Sequence, residues 1–379
     1  MNIAILGFGT VGYGVYELAE KTENLKVKYV LDLKIHQGIS AKSVTDINEI
    51  LNDDSVETVV ELIGGHSPAY EFIKAALNAG KNVITANKLV ICEHYEELTK
   101  LAIEKNVALR YTAAVGGGIP WLTNLERTVK ISRVNKVRGI FNGTTNYILD
   151  AMHRDGTAFD VALKNAQNLG FAEADPSSDI DGLDTKRKIA ISTNIAFGVI
   201  TDQNEIDVLG IRNVTSGAIK DAEKNGYVCR LIAKSRNKNG EISCWVEPTF
   251  IKKTSLYAGV TQNFNRISID AENVGKGSFY GYGAGRYPTA FTVLGDCVDV
   301  ANGVKRTYNN NMNPIHINNN IVSHCYYVST SVKDEWLQTN VKEVWDNGIL
   351  TNPISIKEMH DFANKILKSD PKAFIAGVY

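Results

Sequence analysis

The stretch Ile3-Ala4-Ile5-Leu6-Gly7-Phe8-Gly9-Thr10-Val11-Gly12 decides the fold of this 379-residue chain. Its apolar start predicts a short buried strand, and apolar residues at positions 11, 15, 18 and 19 recur at the spacing of a helix. Three glycines in the pattern G-x-G-x-x-G lie between the two elements. A strand, a glycine-rich turn and a helix in this order are typical of a dinucleotide-binding unit.

An acidic residue follows at the distance that this interpretation requires. The apolar run 27–31 predicts a second strand, and Asp32 at its end lies 20 residues beyond Gly12. The glycines would allow a close approach to a pyrophosphate, and the acidic residue would accept a hydrogen bond from a ribose hydroxyl. Asp32 beside Leu31 favours NAD over NADP, although Lys34 leaves NADP open. The alternative is a glycine-rich turn without a ligand.

Strand-like and helical segments alternate over the first hundred residues. Strands are predicted at 56–63, 82–85 and 108–111, and helices at 68–79 and 93–105. This alternation predicts an α/β fold with a Rossmann-type, doubly wound parallel sheet.

The alternation is lost after residue 115, which predicts an α+β region. We therefore expect three parts: a dinucleotide-binding domain at 1–115, a substrate-binding and dimerisation domain at 116–305 whose helix 290–305 packs back on the first domain, and an asparagine-rich linker with a small α+β lobe at 306–379. In that lobe we predict strands at 325–332 and 373–379 and helices at 337–346 and 355–369.

Composition and charge exclude several classes of protein. The 41 Lys and Arg residues against 42 Asp and Glu residues leave a net charge of −1, which argues against a nucleic-acid or anionic-membrane partner. The five cysteines form no C-x-x-C pair, so neither a disulfide framework nor a zinc site is indicated. No apolar run approaches the roughly 20 residues of a membrane span. We expect a cytoplasmic protein that acts on a small molecule.

Three polar or glycine-rich segments offer further candidate residues. Thr85-Ala86-Asn87-Lys88 ends a strand of the parallel sheet, where Lys88 either faces the cofactor or is an exposed lysine at a helix start. Gly116-Gly117-Gly118 indicates backbone held close to a ligand or ion, or a flexible turn. In Asn142-Gly143-Thr144-Thr145-Asn146, a threonine would cap the next helix, and the same groups could also contact a substrate.

Five carboxylates lie close together between Glu173 and Asp184. Such a loop could bind calcium, although the spacing is not that of an EF-hand, or it could be a solvated surface loop. It could also bind a cationic substrate group such as an α-ammonium. Asp184 and Lys188 are four residues apart on one helix face, so they form either a simple ion pair or part of a proton-donating site.

Taken together, these segments resemble the homoserine dehydrogenases. The match runs in order over roughly residues 1 to 305 and includes the glycine pattern at 7–12 and the segments Val60–Gly65, Thr85–Lys88, Val115–Pro120, Asn142–Tyr147, Ala172–Pro176, Asp181–Asp184 and Gly283–Ala290. The resemblance implies NAD(P)-dependent interconversion of L-homoserine and L-aspartate 4-semialdehyde, within threonine and methionine biosynthesis.

The resemblance also implies roles for individual residues. Lys88 and Lys188 would be the catalytic lysines, with Lys188 exchanging a proton with the substrate oxygen as hydride moves. The substrate-binding residues would be Glu173, Asp179, Asp184, Gly143, Thr144 and Thr145. The cofactor-binding residues would be Gly7, Gly9, Thr10, Val11, Gly12, Asp32, Gly64, Thr85, Lys88 and Gly285.

Two departures from the family pattern concern a cation and the C-terminal lobe. Relatives place a glutamate where this chain has Thr112, which puts in doubt a sodium-like ion bound by the backbone of Val115, Gly117 and Ile119. The lobe resembles a degenerate ACT domain, and inhibition by threonine through it is a hypothesis. The family further suggests a homodimer or higher homo-oligomer. The rival interpretations are a related amino-acid dehydrogenase and a non-catalytic NAD-sensing protein.

Overall fold

The computed structural model describes residues 1–305, 308 and 312–379, and the chain forms two compact units. The first unit comprises Met1–Ile131, Asn194–Ile200 and Tyr282–Pro314, and the second comprises Ser132–Thr193, Thr201–Gly281 and Ile315–Tyr379. Among the described residues, the helices are too short or too polar to cross a membrane.

The first unit is built on a parallel sheet. Its strands are β1 (Asn2–Leu6), β2 (Lys26–Leu31), β3 (Lys42–Val44), β4 (Thr58–Glu61), β5 (Asn82–Thr85) and β6 (Leu109–Arg110), in the spatial order β3-β2-β1-β4-β5-β6. Every neighbouring pair is parallel. The order reverses at β1, so β1 and β4 form the topological switch point at which such sheets bind ligands. The predicted Rossmann-type sheet is confirmed.

Helices follow the strands of this sheet. They are α1 (Thr10–Ala19), α2 (Asn48–Leu51), α3 (Ala69–Asn78), α4 (Lys88–Glu93), α5 (Tyr95–Glu104) and α6 (Trp121–Val129). The helix expected at 93–105 is present as α5, whereas its expected first residue, Glu93, is the last residue of α4. The apolar stretch of β1 is fully buried from Ile3 to Leu6, as the sequence predicts.

The second unit begins with strands and helices in mixed order. The strands of this part of the chain are β7 (Val134–Ile140), β8 (Val199–Thr201), β9 (Asp207–Val208), β10 (Tyr227–Lys238), β11 (Glu241–Lys252), β12 (Phe264–Ala271) and β13 (Gly275–Tyr282). Residues 199 and 200 of β8 belong to the first unit. The helices of this part of the chain are α7 (Gly143–Arg154), α8 (Phe159–Asn168), α9 (Ser177–Ile180), α10 (Leu183–Phe197) and α11 (Ser216–Lys224). Strands β10 and β11 form a long hairpin because Asn239 and Gly240 both adopt the positive φ that a two-residue hairpin turn needs.

The chain then adds α12 (Arg286–Ala301) to the first unit. Its buried residues include Ala290, Val293 and Cys297, which recur at helical spacing and pack in one apolar cluster with Val15 of α1 and Ile5 of β1. This helix is therefore part of the core of the first unit.

The last part of the chain completes the sheet of the second unit. Its elements are β14 (Asn313–Ile315), β15 (Ser323–Ser329), α13 (Glu335–Thr339), β16 (Val341–Val344), β17 (Ile349–Thr351), β18 (Ile354–Ser355), α14 (Ile356–Ser369) and β19 (Phe374–Val378). The spatial order is β13-β12-β7-β10-β11-β19-β15-β17-β16, with β18 beside β15 and β9 beside β11. The C-terminal strands thus extend the sheet of β7 to β13, because β19 pairs with β11.

Two expectations for this part of the chain differ from the structure. The predicted helix 337–346 is wrong, because the helix ends at Thr339 and Val341–Val344 pairs with β17 as a strand. Of the asparagine-rich linker, residues 309–311 lie outside the described residues. Asn319 is buried, and its side chain hydrogen-bonds Cys244 and Asp207, so this position is a structural anchor.

Candidate functional site

The glycine-rich turn after β1 leaves no room for side chains at two of its three glycines. Gly7 has a φ of +91°, and a Cβ there would lie 2.9 Å from the backbone of Ile63. A Cβ at Gly12 would lie 2.0 Å from the carbonyl oxygen of Gly7. A Cβ at Gly9 would contact no atom within 4 Å, so this position is open to a ligand. Gly7 thus allows the tight turn, Gly12 allows the helix to pack closely on the strand, and Gly9 leaves room for a pyrophosphate.

A cavity of about 370 Å³ lies beside this turn within the first unit. It is lined by Phe8, Gly9, Thr10, Tyr13, His36, Gln37, Ile39 and Arg286. The helix α1 begins at Thr10, and its N-cap residue Gly9 has no side chain to satisfy the first N–H groups. An uncapped helix N-terminus at a cavity is suited to a phosphate group, so the cavity fits the pyrophosphate of a dinucleotide.

Asp32 follows β2 and is held in place by two hydrogen bonds. Its Oδ1 accepts from the backbone N–H of Leu33 at 2.7 Å, and its Oδ2 lies 2.9 Å from Nε2 of His36. Partial burial raises the pKa of Asp32, but the hydrogen bonds from His36 and Leu33 outweigh it and leave the pKa below its usual value. The carboxylate is therefore ionised and fixed near the lining residue His36 of the cavity.

The loops after β4 and β5 are joined by a buried carboxylate. Glu61 accepts hydrogen bonds from the N–H of Ile63 at 2.7 Å and from the hydroxyl of Thr85 at 2.6 Å. The side chain of Asn87 donates to the carbonyl of Gly65 at 2.7 Å. Burial raises the pKa of Glu61, although its hydrogen bonds lower it in part. Sequence reasoning matched the segment around Glu61 but did not recognise that its side chain organises this edge.

Lys88 and Gly64 lie at this same edge of the parallel sheet. Lys88 is the first residue of α4, which Asn87 caps through a hydrogen bond from the N–H of Val90. Gly64 has a φ of +79° in the loop after β4, and a Cβ there would contact nothing within 4 Å. Thr85 and Lys88 are thus brought to the carboxyl end of the sheet beside the loop that carries Gly64.

Gly285 and the glycine-rich segment 116–118 meet around α12. Gly285 is the N-cap residue of α12 with a φ of +125°, and a Cβ on Gly117 would lie 2.5 Å from the backbone of Gly283. The carbonyl of Gly117 accepts from the hydroxyl of Thr292 at 2.7 Å, and that of Ile119 accepts from the N–H of Trp121 at 2.7 Å. Two of the three carbonyl oxygens that were predicted to bind a cation therefore already accept hydrogen bonds from the protein.

In the second unit, Asn142 connects the end of β7 with two carboxylates. Its Oδ1 accepts from the N–H of Thr145 and caps α7, at 2.8 Å. Its Nδ2 donates to Oδ1 of Asp179 at 2.6 Å and to Oδ2 of Asp184 at 2.9 Å. The sequence predicts a threonine cap at this position, but the cap is Asn142. Its role was missed because an asparagine before a helix gives no sign of which distant carboxylates it contacts.

Lys188 is buried within this cluster and is held by two oxygen atoms. Its Nζ lies 2.8 Å from Oδ2 of Asp184, one turn earlier in α10, and donates to the backbone carbonyl of Phe141 at 2.8 Å. Only 8 % of Lys188 and 6 % of Asp184 are exposed, so this pair is not a solvated surface ion pair. The carbonyl of Phe141 is a partner that the sequence could not reveal.

Asp179 brings a second negative charge next to Asp184. Burial raises the pKa of Asp179, and the charge of Asp184 raises it further, while the hydrogen bond from Asn142 acts in the opposite direction. Two close carboxylates, one amide and one lysine give the cluster a surplus of negative charge that suits a cationic group.

The remaining predicted substrate residues surround this cluster to different degrees. The hydroxyl of Thr144 donates to the carbonyl of Phe171 at 2.5 Å, and Thr145 is fully buried. A Cβ on Gly143 would lie 2.6 Å from the carbonyl oxygen of Asn263, so only glycine fits there. Glu173 is exposed, and its backbone carbonyl accepts from the side chain of Gln167. The described contacts therefore join Lys188 to Asp184 directly and Asp184 to Asp179 through the side chain of Asn142, but they do not include the Glu173 carboxylate.

Models of known families match both halves of the chain. The model of the homoserine dehydrogenase NAD-binding domain matches residues 7–112, and the homoserine dehydrogenase model matches residues 120–298. The two ranges contain the glycine-rich turn and the residues Asn142, Asp179, Asp184 and Lys188, which we call the Lys188 cluster.

Whole-chain comparisons agree with these models. The chain is 35% identical over 357 residues to the homoserine dehydrogenase of Lactococcus lactis, covering 88% of this chain and 83% of the relative. It is 40% identical over 319 residues to that of Corynebacterium glutamicum, covering 79% and 72%. The solved homoserine dehydrogenase from Thiobacillus denitrificans superposes with a TM-score of 0.87 at 28% identity, covering 100% of this chain and 98% of that one. The chain therefore belongs to the homoserine dehydrogenases, NAD(P)-dependent oxidoreductases that act on a CH–OH group.

Proposed function

We propose that the Lys188 cluster of the second unit binds the substrate of this homoserine dehydrogenase and carries the proton of its hydroxyl group. The observation that carries the proposal is the position of Lys188 Nζ, which is buried and held at 2.8 Å by both Asp184 and the Phe141 carbonyl. A lysine ammonium has three N–H donors. The two contacts use two of them, which leaves the third for an oxygen atom of the substrate.

Proton transfer by Lys188 completes the reaction in either direction. When L-aspartate 4-semialdehyde is reduced, the C4 carbon gains a hydride, the π electrons of the C=O bond move to oxygen, and Lys188 donates a proton to that oxygen. When L-homoserine is oxidised, the neutral amine of Lys188 takes the proton from the hydroxyl. A nicotinamide dinucleotide, when bound, would supply or accept the hydride. Asp184 stabilises the protonated lysine and holds its orientation.

The surplus negative charge of the cluster suits the α-ammonium group of the amino-acid substrate. Asp179 and Asp184 would bind that group, and Glu173 would approach it from the exposed loop. The backbone of Gly143, with Thr144 and Thr145 (the first turn of α7), would complete the pocket. This assignment follows the third interpretation of the acidic loop, in which its carboxylates select a cation.

The first unit would bind the dinucleotide through the glycine-rich turn. The backbone from Gly7 to Gly12, including Thr10 and Val11 at the start of α1, would hold the pyrophosphate, and Asp32 would accept from the ribose. Gly64, Thr85 and Gly285 would line the remainder of the site, and Lys88 would be its second catalytic lysine. A relative from a hyperthermophilic archaeon was solved as a mutant in complex with NADPH, at 25% identity and a TM-score of 0.68. Because Asp32 is an ionised carboxylate that would repel a 2′-phosphate, we propose a preference for NAD.

Three further proposals concern an ion, assembly and compartment. A monovalent cation such as sodium would need the carbonyls of Val115, Gly117 and Ile119. Because two of these already accept hydrogen bonds, we expect the ion to bind weakly.

We propose a homodimer or a higher homo-oligomer, to be checked by light scattering. The five cysteines, all within the described residues, are free thiols, which supports a reducing cytoplasmic setting.

The substitution Lys188→Ala tests the proposal. We expect kcat for homoserine oxidation to fall by at least about 100-fold, the usual contribution of a proton-transfer group, while NAD binding stays within about twofold. Absorbance at 340 nm with NAD and with NADP measures turnover and cofactor preference, and calorimetry measures dinucleotide binding. Lys220→Ala, an exposed lysine of α11, is the matched control and should behave as the wild type. Unchanged turnover by Lys188→Ala would overturn the role of Lys188.

A further inference from the structure

Three side chains of the first unit that the proposed reaction does not use converge on one point. His66 lies in the loop after β4, Glu93 is the last residue of α4, and His94 separates α4 from α5. The Nε2 atoms of the two histidines lie 2.9 Å apart, and Oε2 of Glu93 lies 3.7 Å from Nε2 of His66. One ligand atom from each residue falls within 4.8 Å of the others. We call these three residues the His66 cluster.

The topology of the sheet explains why residues so far apart in sequence meet. Strands β4 and β5 are parallel neighbours, so the segments that follow them leave the sheet at the same edge. The hydrogen bond from Asn87 to the carbonyl of Gly65 fixes these two segments against each other. The fold of the backbone therefore brings His66 close to the end of α4, where Glu93 and His94 lie.

The chemistry of the His66 cluster is that of a transition-metal site. Two imidazoles and one carboxylate form the ligand set of many zinc sites that keep a fourth position open. With Zn–N bonds of about 2.0–2.1 Å in a tetrahedral arrangement, ligand nitrogens lie roughly 3.3 Å apart. The separation of 2.9 Å thus needs only a small opening to admit an ion. Imidazole ligands favour Zn²⁺, Cu²⁺, Ni²⁺ and Co²⁺ over Mg²⁺ or Ca²⁺.

A second layer of side chains orients His94. Its Nδ1 lies 3.5 Å from Oε2 of Glu97, on the opposite side of the ring from the Nε2 that faces His66. Glu97 in turn forms an ion pair with Lys74 at 2.6 Å. The ring of Tyr70 stacks on His94 with 3.9 Å between centroids. A carboxylate behind a histidine is the arrangement that fixes the ring of a metal ligand.

Solvent can reach the His66 cluster. The side chains of His66, Glu93 and His94 are 41%, 35% and 24% exposed. A metal ion could therefore enter without unfolding of the unit, and a water molecule could occupy the fourth position.

We propose that His66, Glu93 and His94 form a binding site for a divalent ion of the zinc type, separate from the residues that bind substrate. The bound ion links the loop after β4, which carries Gly64, to the helix that begins at Lys88. Metal binding therefore stabilises this edge of the sheet.

Titration of the full-length protein with Co²⁺, followed by competition with Zn²⁺, tests the proposal. After treatment with a chelator and its removal, the wild type should bind one equivalent of Co²⁺ with visible ligand-field absorption, and Zn²⁺ should displace it. His66→Ala and His94→Ala should each weaken binding by at least about 100-fold. Glu97→Gln should weaken it by about tenfold, as expected for a residue that orients a ligand. Zn²⁺ should raise the melting temperature of the wild type but not of His66→Ala.

Two controls separate the His66 cluster from other metal-binding groups. His316→Ala removes an exposed histidine that is also paired with a glutamate, Glu205, and it should bind Co²⁺ as the wild type does. Cys92→Ser removes the thiol next to Glu93 in the sequence and should also retain binding. Circular dichroism checks that each variant is folded. Wild-type affinity in folded His66→Ala, or loss of binding in Cys92→Ser alone, would overturn the proposal.

Discussion

At the scale of single residues, Asp179 is a carboxylate whose surroundings oppose its charge. Burial and the neighbouring Asp184 raise its pKa in the folded state. The folded protein therefore holds this proton at pH values at which the unfolded chain has lost it. The stability that the group contributes is present at low pH and is lost as the pH rises through the folded pKa.

We predict that Asp179→Asn makes the protein more stable but a poorer enzyme. The uncharged side chain removes the repulsion from Asp184, so the melting temperature should exceed that of the wild type at pH 8, and this difference should shrink as the pH falls. KM for homoserine should rise by about 10- to 100-fold, because a charge-assisted hydrogen bond of roughly 1.5–3 kcal/mol is lost.

Thermal unfolding from about pH 4, near the ordinary pKa of an aspartate, to pH 8, together with steady-state kinetics, checks this prediction. Asp175→Asn is the control in the same loop. Hydrogen bonds from Ser177 lower the pKa of Asp175, so its replacement should give no gain in stability at pH 8. A melting temperature of Asp179→Asn that is equal to the wild type at every pH would contradict the argument.

The residues of this cluster show what sequence can and cannot reveal. The spacing of Asp184 and Lys188 places both on one helix face, and the structure shows their ion pair. Asn142 and the carbonyl of Phe141 lie more than 35 residues away from the groups they contact. No local pattern encodes such pairs, so the sequence left ion pair and proton donor as equal alternatives.

At the scale of elements, α12 is anchored to β6 by a buried ion pair. Arg110 is fully buried and donates through Nε to Oδ1 of Asp296 at 2.9 Å. Oδ2 of Asp296 accepts from the N–H of Thr112 at 3.0 Å. This contact holds the helix that follows Gly285 against the sheet that carries the glycine-rich turn.

We predict that Asp296→Ala destabilises the first unit by about 3–5 kcal/mol, because it leaves the buried charge of Arg110 without its main partner. Arg110 also lies 3.7 Å from the buried Glu126 and 2.6 Å from Asp299. The side chain of Asp299 is 37% exposed, so Asp299→Ala should cost less than about 1 kcal/mol. Unfolding in urea measures both variants. An equal loss of unfolding free energy in the two variants would show that the stabilisation by the Asp296 ion pair does not come from its burial.

Sequence patterns located most elements of the first unit but not this anchor. The strand 82–85 has the predicted limits, and α12 begins four residues before the predicted helix. Apolar periodicity reveals which face of a helix is buried. It does not reveal that an aspartate on that face meets an arginine nearly 190 residues away.

At the scale of the whole molecule, the last strand of the chain lies inside the second sheet. Strand β19 pairs with β11 on one side and with β15 on the other. Gly377 in this strand faces Glu247, which is fully buried and accepts a hydrogen bond from Trp245 at 2.9 Å. The residues near the C-terminus are thus part of the core of this unit.

We predict that Gly377→Ala destabilises the second unit by about 1–3 kcal/mol, the usual cost of overfilling a packed core. The added Cβ would lie 2.6 Å from Oε1 of Glu247 and 2.6 Å from Nε2 of His324. Gly259→Ala is the control, since a Cβ there would contact nothing within 4 Å. Denaturant unfolding followed by tryptophan fluorescence tests this, and a wild-type midpoint for Gly377→Ala would refute the packing argument.

The sequence predicted two of the strands of the C-terminal part but not their pairing. The expected strands at 325–332 and 373–379 are present as β15 and β19. Their expected role was that of a separate lobe, because strand periodicity contains no information about which distant strand is the neighbour. The pairing of Thr249 with Gly377 joins segments that are more than 120 residues apart.

The shared acceptor Glu61 has a consequence for how this sequence can evolve. Its carboxylate serves the loop after β4 through Ile63 and the loop after β5 through Thr85, and Thr85 in turn accepts from the N–H of Asn87. Ile63 and Asn87 take part through backbone N–H groups, which a change of side chain retains, but a substitution of Glu61 or Thr85 leaves the remaining buried groups without a partner. We therefore expect tolerated substitutions at positions 61 and 85 to occur together, each compensating for the other.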